Sequence, residues 1–162
     1  IFVTWRLHGA LTKAELADRH RIGLPVPPQP LWLARPEIAQ LVHDAILFQD
    51  DKRCEVLAFV EMPTHVHLLY RPLPTPDGSW HSMAQIMQSI KAYSGRNANM
   101  VLGLSGPFWQ HESYDHYVRH MRAIPGFVRY IVNNPVRAGL ADCPEAWPWT
   151  YICDSKLEAL QL

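Results

Sequence analysis

The residues best suited to chemistry in this 162-residue chain are His65 and His67, which are separated by a single valine. They lie in the apolar run HVHLLY, a composition typical of a β-strand. Because side chains alternate across a strand, both imidazoles are expected on one face, about 7 Å apart along it. In that position they can bind one metal ion. The alternative is that one histidine caps the strand end and the other is a hydrogen-bonded core residue.

The number of histidines limits the kind of metal site. Two imidazoles are too few for a closed structural zinc site, which needs four protein ligands. The histidine-triad nucleotide hydrolases use a longer alternation, His-x-His-x-His, but the third position here is Leu69. A third ligand must come from elsewhere in the chain, leaving positions open for water or a phosphate oxygen. No cysteine has the spacing to supply it, since the three in the chain are Cys54, Cys143 and Cys153.

A second candidate pair is Tyr130 and Asn134, in the segment RYIVNNPV. Positions i and i+4 share a face of a helix, so the phenol and the carboxamide are expected to point the same way. The Asn134 carbonyl oxygen would suit a hard divalent cation, and a phenol can act as a nucleophile. The alternative is that Tyr130 is a packing residue and that Asn134 is a helix C-cap ahead of Pro135.

The elements that must position these residues follow from apolar periodicity and from proline and glycine. The order predicts an α+β fold, an antiparallel sheet with helices packed on one face, in a single domain spanning residues 1–162. The segment FWQHESYDH is left without an assignment, and Trp147 and Trp149 are expected to pack against the body. The expected elements are a strand over Ile1–Leu7, one helical turn around Ala14–Arg19, a helix over Pro36–Gln49, paired strands over Cys54–Glu61 and His65–Arg71, a helix from Met83 to at least Tyr93, and a helix over Pro125–Asn134 that Pro135 stops.

Bulk composition is that of an ordinary globular protein, with 48% apolar and 19% charged residues and a net charge of zero. The charge is uneven, because the stretch from Trp80 to Leu140 carries six basic and two acidic residues, 6 − 2 = +4. A local basic excess is compatible with a phosphate partner. No apolar run approaches the roughly 20 residues that span a bilayer. The cysteine spacing favours free thiols in a reducing cytoplasm.

Five segments, in order, resemble the REP-associated tyrosine transposases. These are bacterial relatives of the single-tyrosine transposases in the HUH endonuclease superfamily. The resemblance runs from about Phe2 to Tyr151, although the proline-rich stretch from Gly23 to Pro30 matches no element of that family. The segments that carry it are MPTHVHLLYRP, SIKAYSGRNAN, FWQHESYDHYVR, VRYIVNNPVRAGL and WPWTY.

The resemblance implies a role for each candidate residue. His65 and His67 would be the HUH histidines that hold a divalent metal, Tyr130 the nucleophile, and Asn134 the residue that completes the metal site. Mixed His/Asn ligation favours Mg²⁺ or Mn²⁺. Tyr114 is the competing nucleophile and ranks second, because no amide lies at the same helical offset from it. The implied fold is a ferredoxin-like antiparallel sheet with the histidines on a central strand.

The implied function is nicking and rejoining of single-stranded DNA at repetitive extragenic palindrome hairpins, through a 5′-phosphotyrosine intermediate. The alternatives are a hairpin-DNA binding protein with little or no strand-transfer activity, and a metal-dependent phosphohydrolase of small molecules. The expected form is a cytoplasmic monomer or homodimer. Candidates for contacts with the DNA backbone are Lys91, Arg96, Arg119, Arg122 and Arg129. Candidates for base stacking, each also a candidate for the core, are Trp80, Tyr93, Phe108 and Trp109.

Overall fold

A computed structural model of the protein describes residues 1–160, so the last two positions of the predicted domain, 161 and 162, lie outside the described residues. Five strands form one antiparallel sheet in the order β4-β1-β3-β2-β5. In chain order the elements are β1 (Phe2–Leu7), α1 (Lys13–Arg21), α2 (Pro36–Leu47), β2 (Cys54–Met62), β3 (His65–Pro72), α3 (Met83–Leu102), β4 (Trp109–His116), α4 (Ile124–Val132), α5 (Asn134–Arg137), β5 (Thr150–Ile152) and α6 (Asp154–Ala159).

Strand β3 lies at the centre of the sheet, between β1 and β2. The hairpin of β2 and β3 places Met62 opposite His65, and β1 then pairs with the other edge of β3, with Thr4 opposite His67. Strand β4 adds to the free edge of β1. The β-α-β-β-α-β order with these neighbours is the ferredoxin-like arrangement, and β5 extends it beyond β2. The predicted fold class is therefore confirmed, with the histidines on a central strand.

Helices cover both faces of the sheet. One core cluster joins Val3 and Leu68 to residues of α2 and α3, and a second joins Phe2 and Leu69 to Ile124 and Ile131 of α4. Adjacent strand residues point to opposite faces, so these clusters lie on opposite sides. The expectation of helices on one face holds for α2 and α3 and is wrong for α4. The physical reason is that the second face also carries apolar side chains, from β2 as well as Phe2 and Leu69, and these need cover from water.

Several elements differ from the sequence prediction. Helix α1 spans nine residues where the pattern predicts one helical turn, and β5 and α6 lie in a tail for which no element is predicted. Strand β4 lies in the segment FWQHESYDH, whose pattern predicts no element, and only Trp109 in the strand is buried. An edge strand with polar side chains on both faces lacks the alternation by which strands are recognised. The helix expected to run to Asn134 ends before Asn133. Pro135 does not stop the helical structure there, because it lies in the first turn of the next helix, α5. Proline is tolerated there because a first-turn N–H has no helical partner.

The segment after β4 and the tail close over the second face. As expected, the tail packs against the body: Trp147 Nε1 donates to the Glu61 carbonyl oxygen at 2.9 Å, and the Glu61 N–H donates to the Trp149 carbonyl oxygen at 2.9 Å. The Gly23 to Pro30 stretch is irregular and mostly exposed. Among the helices of residues 1–160, none combines the length and the apolar character that crossing a bilayer requires.

Candidate active site

The two candidate metal ligands converge at one end of β3. His67 is almost fully buried and His65 is partly buried, and their Nε2 atoms lie 3.2 Å apart. Two nitrogen ligands about 2.1 Å from one divalent ion, at angles between octahedral and tetrahedral, are separated by about 3.0–3.4 Å. The spacing of the two nitrogens therefore fits a shared metal ion. Without an ion, the same contact is a hydrogen bond in which one imidazole donates to the other.

Two threonine hydroxyls orient the imidazoles. Thr4 Oγ1 lies 2.6 Å from His67 Nδ1, and Thr64 Oγ1 lies 2.9 Å from His65 Nδ1. Because each Nδ1 is engaged by a hydroxyl, each Nε2 is left to face its neighbour. Hydrogen bonds of this kind set the tautomer and the ring orientation of metal-binding histidines.

Burial keeps both imidazoles neutral. Desolvation lowers the pKa of His65 to about 2, with further contributions from His67 and from the positive charge of Arg6. Desolvation also lowers the pKa of His67 to about 3, and Arg6 contributes in the same direction. A neutral imidazole keeps the nitrogen lone pair that a metal ion needs. The electrostatics of the pair thus favour metal ligands over a charged surface site.

The predicted nucleophile lies against this pair. Helix α4 crosses the sheet on the histidine face and holds the Tyr130 ring with its centroid 5.1 Å from that of His67. Phe2 supports both rings, stacking on His67 at 5.6 Å and meeting the edge of Tyr130 at 5.8 Å. Tyr130 is 39% exposed, so a ligand in solvent can reach its ring. His65, His67 and Tyr130 are therefore brought together.

The proposed third ligand is less closely placed. Asn134 begins α5, one turn beyond Tyr130, and is partly buried. Within the part of the chain that is described, its side chain makes no hydrogen bond to either histidine. Over the same residues, no group of three His, Cys, Asp or Glu side chains converges to hold a metal. The role of Asn134 stays a prediction.

A cavity of about 510 Å³ opens beside these groups. Its wall includes a row of facing residues from three strands, with Thr4 opposite both His67 and Tyr114. Residues directly opposite one another point to the same face of a sheet. Tyr114, the competing nucleophile, therefore lies near the histidines as well. The residues lining the cavity are Phe2, Thr4, Trp5, Arg6, Thr12, His67, Gln110, Glu112, Ser113, Tyr114 and Tyr130.

Two charged residues line this cavity, Arg6 and Glu112, and neither is among the predicted site residues. Arg6 is the one with the positive charge that a phosphate would need. It stands opposite His65 in the register of β1 and β3 and is partly buried. Burial lowers the pKa of its guanidinium, while Tyr130 and Glu15 act in the opposite direction. Across residues 1–160, no carboxylate forms a salt bridge with it. The signal in the sequence was the alternation of Phe2, Thr4 and Arg6, which becomes informative only when β1 is known to pair with β3.

The five basic candidates for DNA contacts do not form one patch. Lys91 and Arg96 are on α3, across the sheet from α4, which carries Arg129. The Lys91 ammonium donates to the carbonyl oxygens of Gln110 at 2.6 Å and His111 at 2.9 Å, so it ties α3 to β4. The four arginines are exposed, namely Arg96, Arg119, Arg122 and Arg129.

Two of the aromatic candidates for base stacking belong to the core. Phe108 and Trp109 are buried, and Trp109 Nε1 donates to Ser94 Oγ at 3.0 Å. Trp80 and Tyr93 are exposed and remain candidates. The exposed aromatic residues nearest the histidines are instead Tyr114 and Tyr130.

Comparison with known proteins supports the fold. The chain is similar to a solved structure of a REP-associated tyrosine transposase bound to a REP hairpin, with a TM-score of 0.61 and 20% sequence identity. The similarity covers 92% of this chain and 73% of that chain. No protein-family model and no curated protein matches the sequence. At this identity the likeness establishes a shared fold.

Proposed function

We propose that the protein nicks and rejoins single-stranded DNA at hairpins, with Tyr130 as the nucleophile, in the manner of a REP-associated tyrosine transposase. The observation that carries the proposal is the Tyr130 ring 5.1 Å from His67, whose Nε2 lies 3.2 Å from that of His65. The fold it shares with a transposase bound to a REP hairpin supports hairpin DNA as the partner. A cytoplasmic protein with access to DNA, as monomer or homodimer, fits this activity.

The proposed metal ligands are His65 and His67 through their Nε2 atoms, with Asn134 contributing its amide oxygen. A divalent ion such as Mg²⁺ or Mn²⁺ would supply charge stabilisation for a non-bridging phosphate oxygen. Thr4 and Thr64 hold the imidazoles in the orientation that turns the two Nε2 atoms toward each other. The guanidinium of Arg6, in the wall of the same cavity, is placed to offset negative charge on the phosphate.

The reaction requires an in-line exchange at phosphorus. The Tyr130 phenol oxygen forms a bond to phosphorus and loses its proton to water, while the bond from phosphorus to the 3′ oxygen breaks and that oxygen takes up a proton. The 5′ phosphate stays on Tyr130 as an ester. Because the number of phosphoester bonds is unchanged, a 3′ hydroxyl can attack the phosphotyrosine and reverse the step without ATP. Cutting and rejoining are then one reaction in two directions.

A denaturing gel tests the proposal. The protein is incubated with Mn²⁺ and a labelled hairpin oligonucleotide that carries a single-stranded flank. We expect a covalent adduct in the wild type and in Tyr114→Phe, and none in Tyr130→Phe. An adduct lost in Tyr114→Phe and kept in Tyr130→Phe would show that the nucleophile is on β4. A shift on a native gel with no adduct in any variant would indicate a hairpin-binding protein. The absence of both signals, which is what a phosphohydrolase of small molecules predicts, would contradict the proposal.

A further inference from the structure

A second cavity adjoins the first on the other side of Tyr130. It has a volume of about 500 Å³. Three residues line both cavities, Phe2, Tyr114 and Tyr130, so the two cavities are neighbours with a shared wall. The full lining of the second cavity is Phe2, Tyr114, His116, Ala123, Gly126, Phe127 and Tyr130.

The walls of this cavity are aromatic and carry no carboxylate. Phe127 packs against Phe2 with ring centroids 5.0 Å apart and against His116 at 5.4 Å. Tyr114 stands at the rim with 67% of its surface exposed. An open, mostly apolar cavity lined by aromatic rings suits a planar heterocycle, which gains by stacking on aromatic faces.

We infer that this second cavity binds one unpaired nucleobase, that of a nucleotide flanking the phosphate held in the first cavity. The inference rests on the proposed function, which places a DNA phosphate beside His67 and Tyr130. A phosphate and its neighbouring base are joined by a single sugar, so their sites must be contiguous, and these cavities share three wall residues. The first cavity carries the charged residues Arg6 and Glu112 with several polar side chains, whereas the second carries neither a carboxylate nor a Lys or Arg side chain. The guanidinium of Arg6 suits the anionic part of a nucleotide, and the rings of the second cavity suit its base.

Gly126 keeps the nucleobase cavity open. It lies in α4 and lines the cavity, and a Cβ built on it would meet no atom within 4 Å. A side chain at this position is compatible with the helix and would project into the empty space. Replacing Gly126 should therefore fill the cavity without straining the backbone, and alanine is a better helix former than glycine.

Binding measured without chemistry tests the inference. The hairpin oligonucleotide carries 2-aminopurine in place of one nucleotide of its single-stranded flank, moved one position at a time, in buffer with EDTA. We expect fluorescence quenching by stacking at one position in the wild type. Gly126→Leu should abolish that quenching and weaken binding by a factor of about 5 to 150, the value of one stacked base. The control Gln40→Leu adds the same side chain to an exposed site on α2, across the sheet, and should change neither reading.

A second variant keeps the inference testable if Gly126→Leu does not fold. Tyr114→Ala removes an exposed wall of the cavity and should weaken binding in the same range. An abasic nucleotide at the quenched position should weaken the wild type by the same factor and leave Gly126→Leu unaffected, because the two changes remove one contact. The inference would be overturned if no position showed quenching. It would also be overturned if the abasic nucleotide weakened binding to Gly126→Leu by the same factor as binding to the wild type. Position-specific quenching without a covalent adduct would refute strand transfer and support the nucleobase site. An adduct formed equally with every abasic strand would support strand transfer and refute the nucleobase site.

Discussion

The site residues depend on neighbours that make no contact with DNA in the proposed reaction. Thr4 and Thr64 each occupy one nitrogen of a histidine, and burial lowers the pKa of both histidines far below physiological pH. The imidazoles are thereby neutral, oriented and close to each other before any ligand arrives. Holding the two imidazoles in place in advance should raise the affinity for a hard cation such as Mg²⁺ or Mn²⁺. Such an ion would be bound weakly otherwise, because two nitrogens form an incomplete coordination shell.

Thr4→Val tests the support of His67. The change removes the hydroxyl that contacts Nδ1 and keeps the shape of the side chain, so we expect Mn²⁺ to bind about 10-fold to 100-fold more weakly. Isothermal titration calorimetry measures the affinity. The matched control is Thr150→Val, since the Thr150 hydroxyl has no hydrogen-bond partner within the described residues. Equal Mn²⁺ affinity in Thr4→Val and the wild type would contradict a positioning role.

Arg6→Gln tests the charge in the cavity. If the guanidinium stabilises negative charge as the phosphate is attacked, adduct formation should slow by a factor on the order of 100. Affinity for Mn²⁺ should stay the same or rise, because a positive charge near His65 and His67 is removed. Rapid-quench sampling of the adduct gives the rate. The control is Arg71→Gln, which removes an arginine that is paired with Glu55. A rate equal to that of the control would rule out the role.

At the scale of elements, the position of α4 decides whether a site exists. Strand β3 presents His65 and His67 on one face, and α4 lies on that face with Tyr130 directed at them. The break at Asn133 starts a new helical turn at Asn134, so the relation of that residue to Tyr130 is set by a short irregular junction. On the opposite face, α3 is joined to the edge strand β4 by Lys91.

Lys91→Met separates a structural role from a DNA contact. Loss of the hydrogen bonds from the ammonium to two backbone carbonyls should lower the free energy of unfolding by about 1–3 kcal/mol. Urea denaturation measures it. The salt dependence of DNA binding should be unchanged, whereas Arg96→Met should reduce its slope by about one and leave stability within about 0.5 kcal/mol. A reduced salt slope with unchanged stability in Lys91→Met would make Lys91 a phosphate contact instead.

At the scale of the molecule, the sheet separates two polar groupings on its two faces. The histidines and Tyr130 lie on the α4 face, while Glu61 lies under α2 on the other face, opposite Val66 in the register. The Glu61 carboxylate is fully buried and its Oε1 is 3.3 Å from Nδ1 of His43. Neither carboxylate oxygen has a hydrogen-bond partner among the described residues. Burial raises the pKa of Glu61 to about 7, against the opposing effect of His43.

This carboxyl makes stability depend on pH. Its folded-state pKa lies above the value of 4.5 for an exposed glutamate, so the folded protein holds the proton more tightly than the unfolded chain does. The stabilising contribution is complete below about pH 4.5 and is lost as the pH rises to about 7. Glu61→Gln cannot ionise, and from pH 4.5 to 8 its unfolding free energy should improve relative to the wild type by on the order of 2–3 kcal/mol. Urea titrations at both pH values measure the difference, with exposed Glu158→Gln as the control. Profiles of Glu61→Gln and wild type that run parallel would show that Glu61 does not titrate in this window.

Local pattern determined much of this protein. Periodicity located β1, the hairpin of β2 and β3, and the helix from Pro36, because each has a clear apolar face and a proline or glycine at its end. Alternation along β3 is enough to put His65 and His67 on one face. These features depend on residues that are near one another in the chain, which is why a single sequence is enough to predict them.

Contacts between distant segments required the tertiary structure. Only the pairing of β1 with β3 brings Thr4 and Arg6 to the histidines, and only the packing of α4 on the second face brings Tyr130 to them. Strand β4 could not be recognised alone, because an exposed edge strand owes its hydrogen bonds to β1 and not to its own hydrophobic pattern. The spacing of residues in the sequence shows which of them share a face of a strand or helix. Which faces then pack against each other depends on burial over the whole chain, because the apolar area on both sides of the sheet must be covered at once.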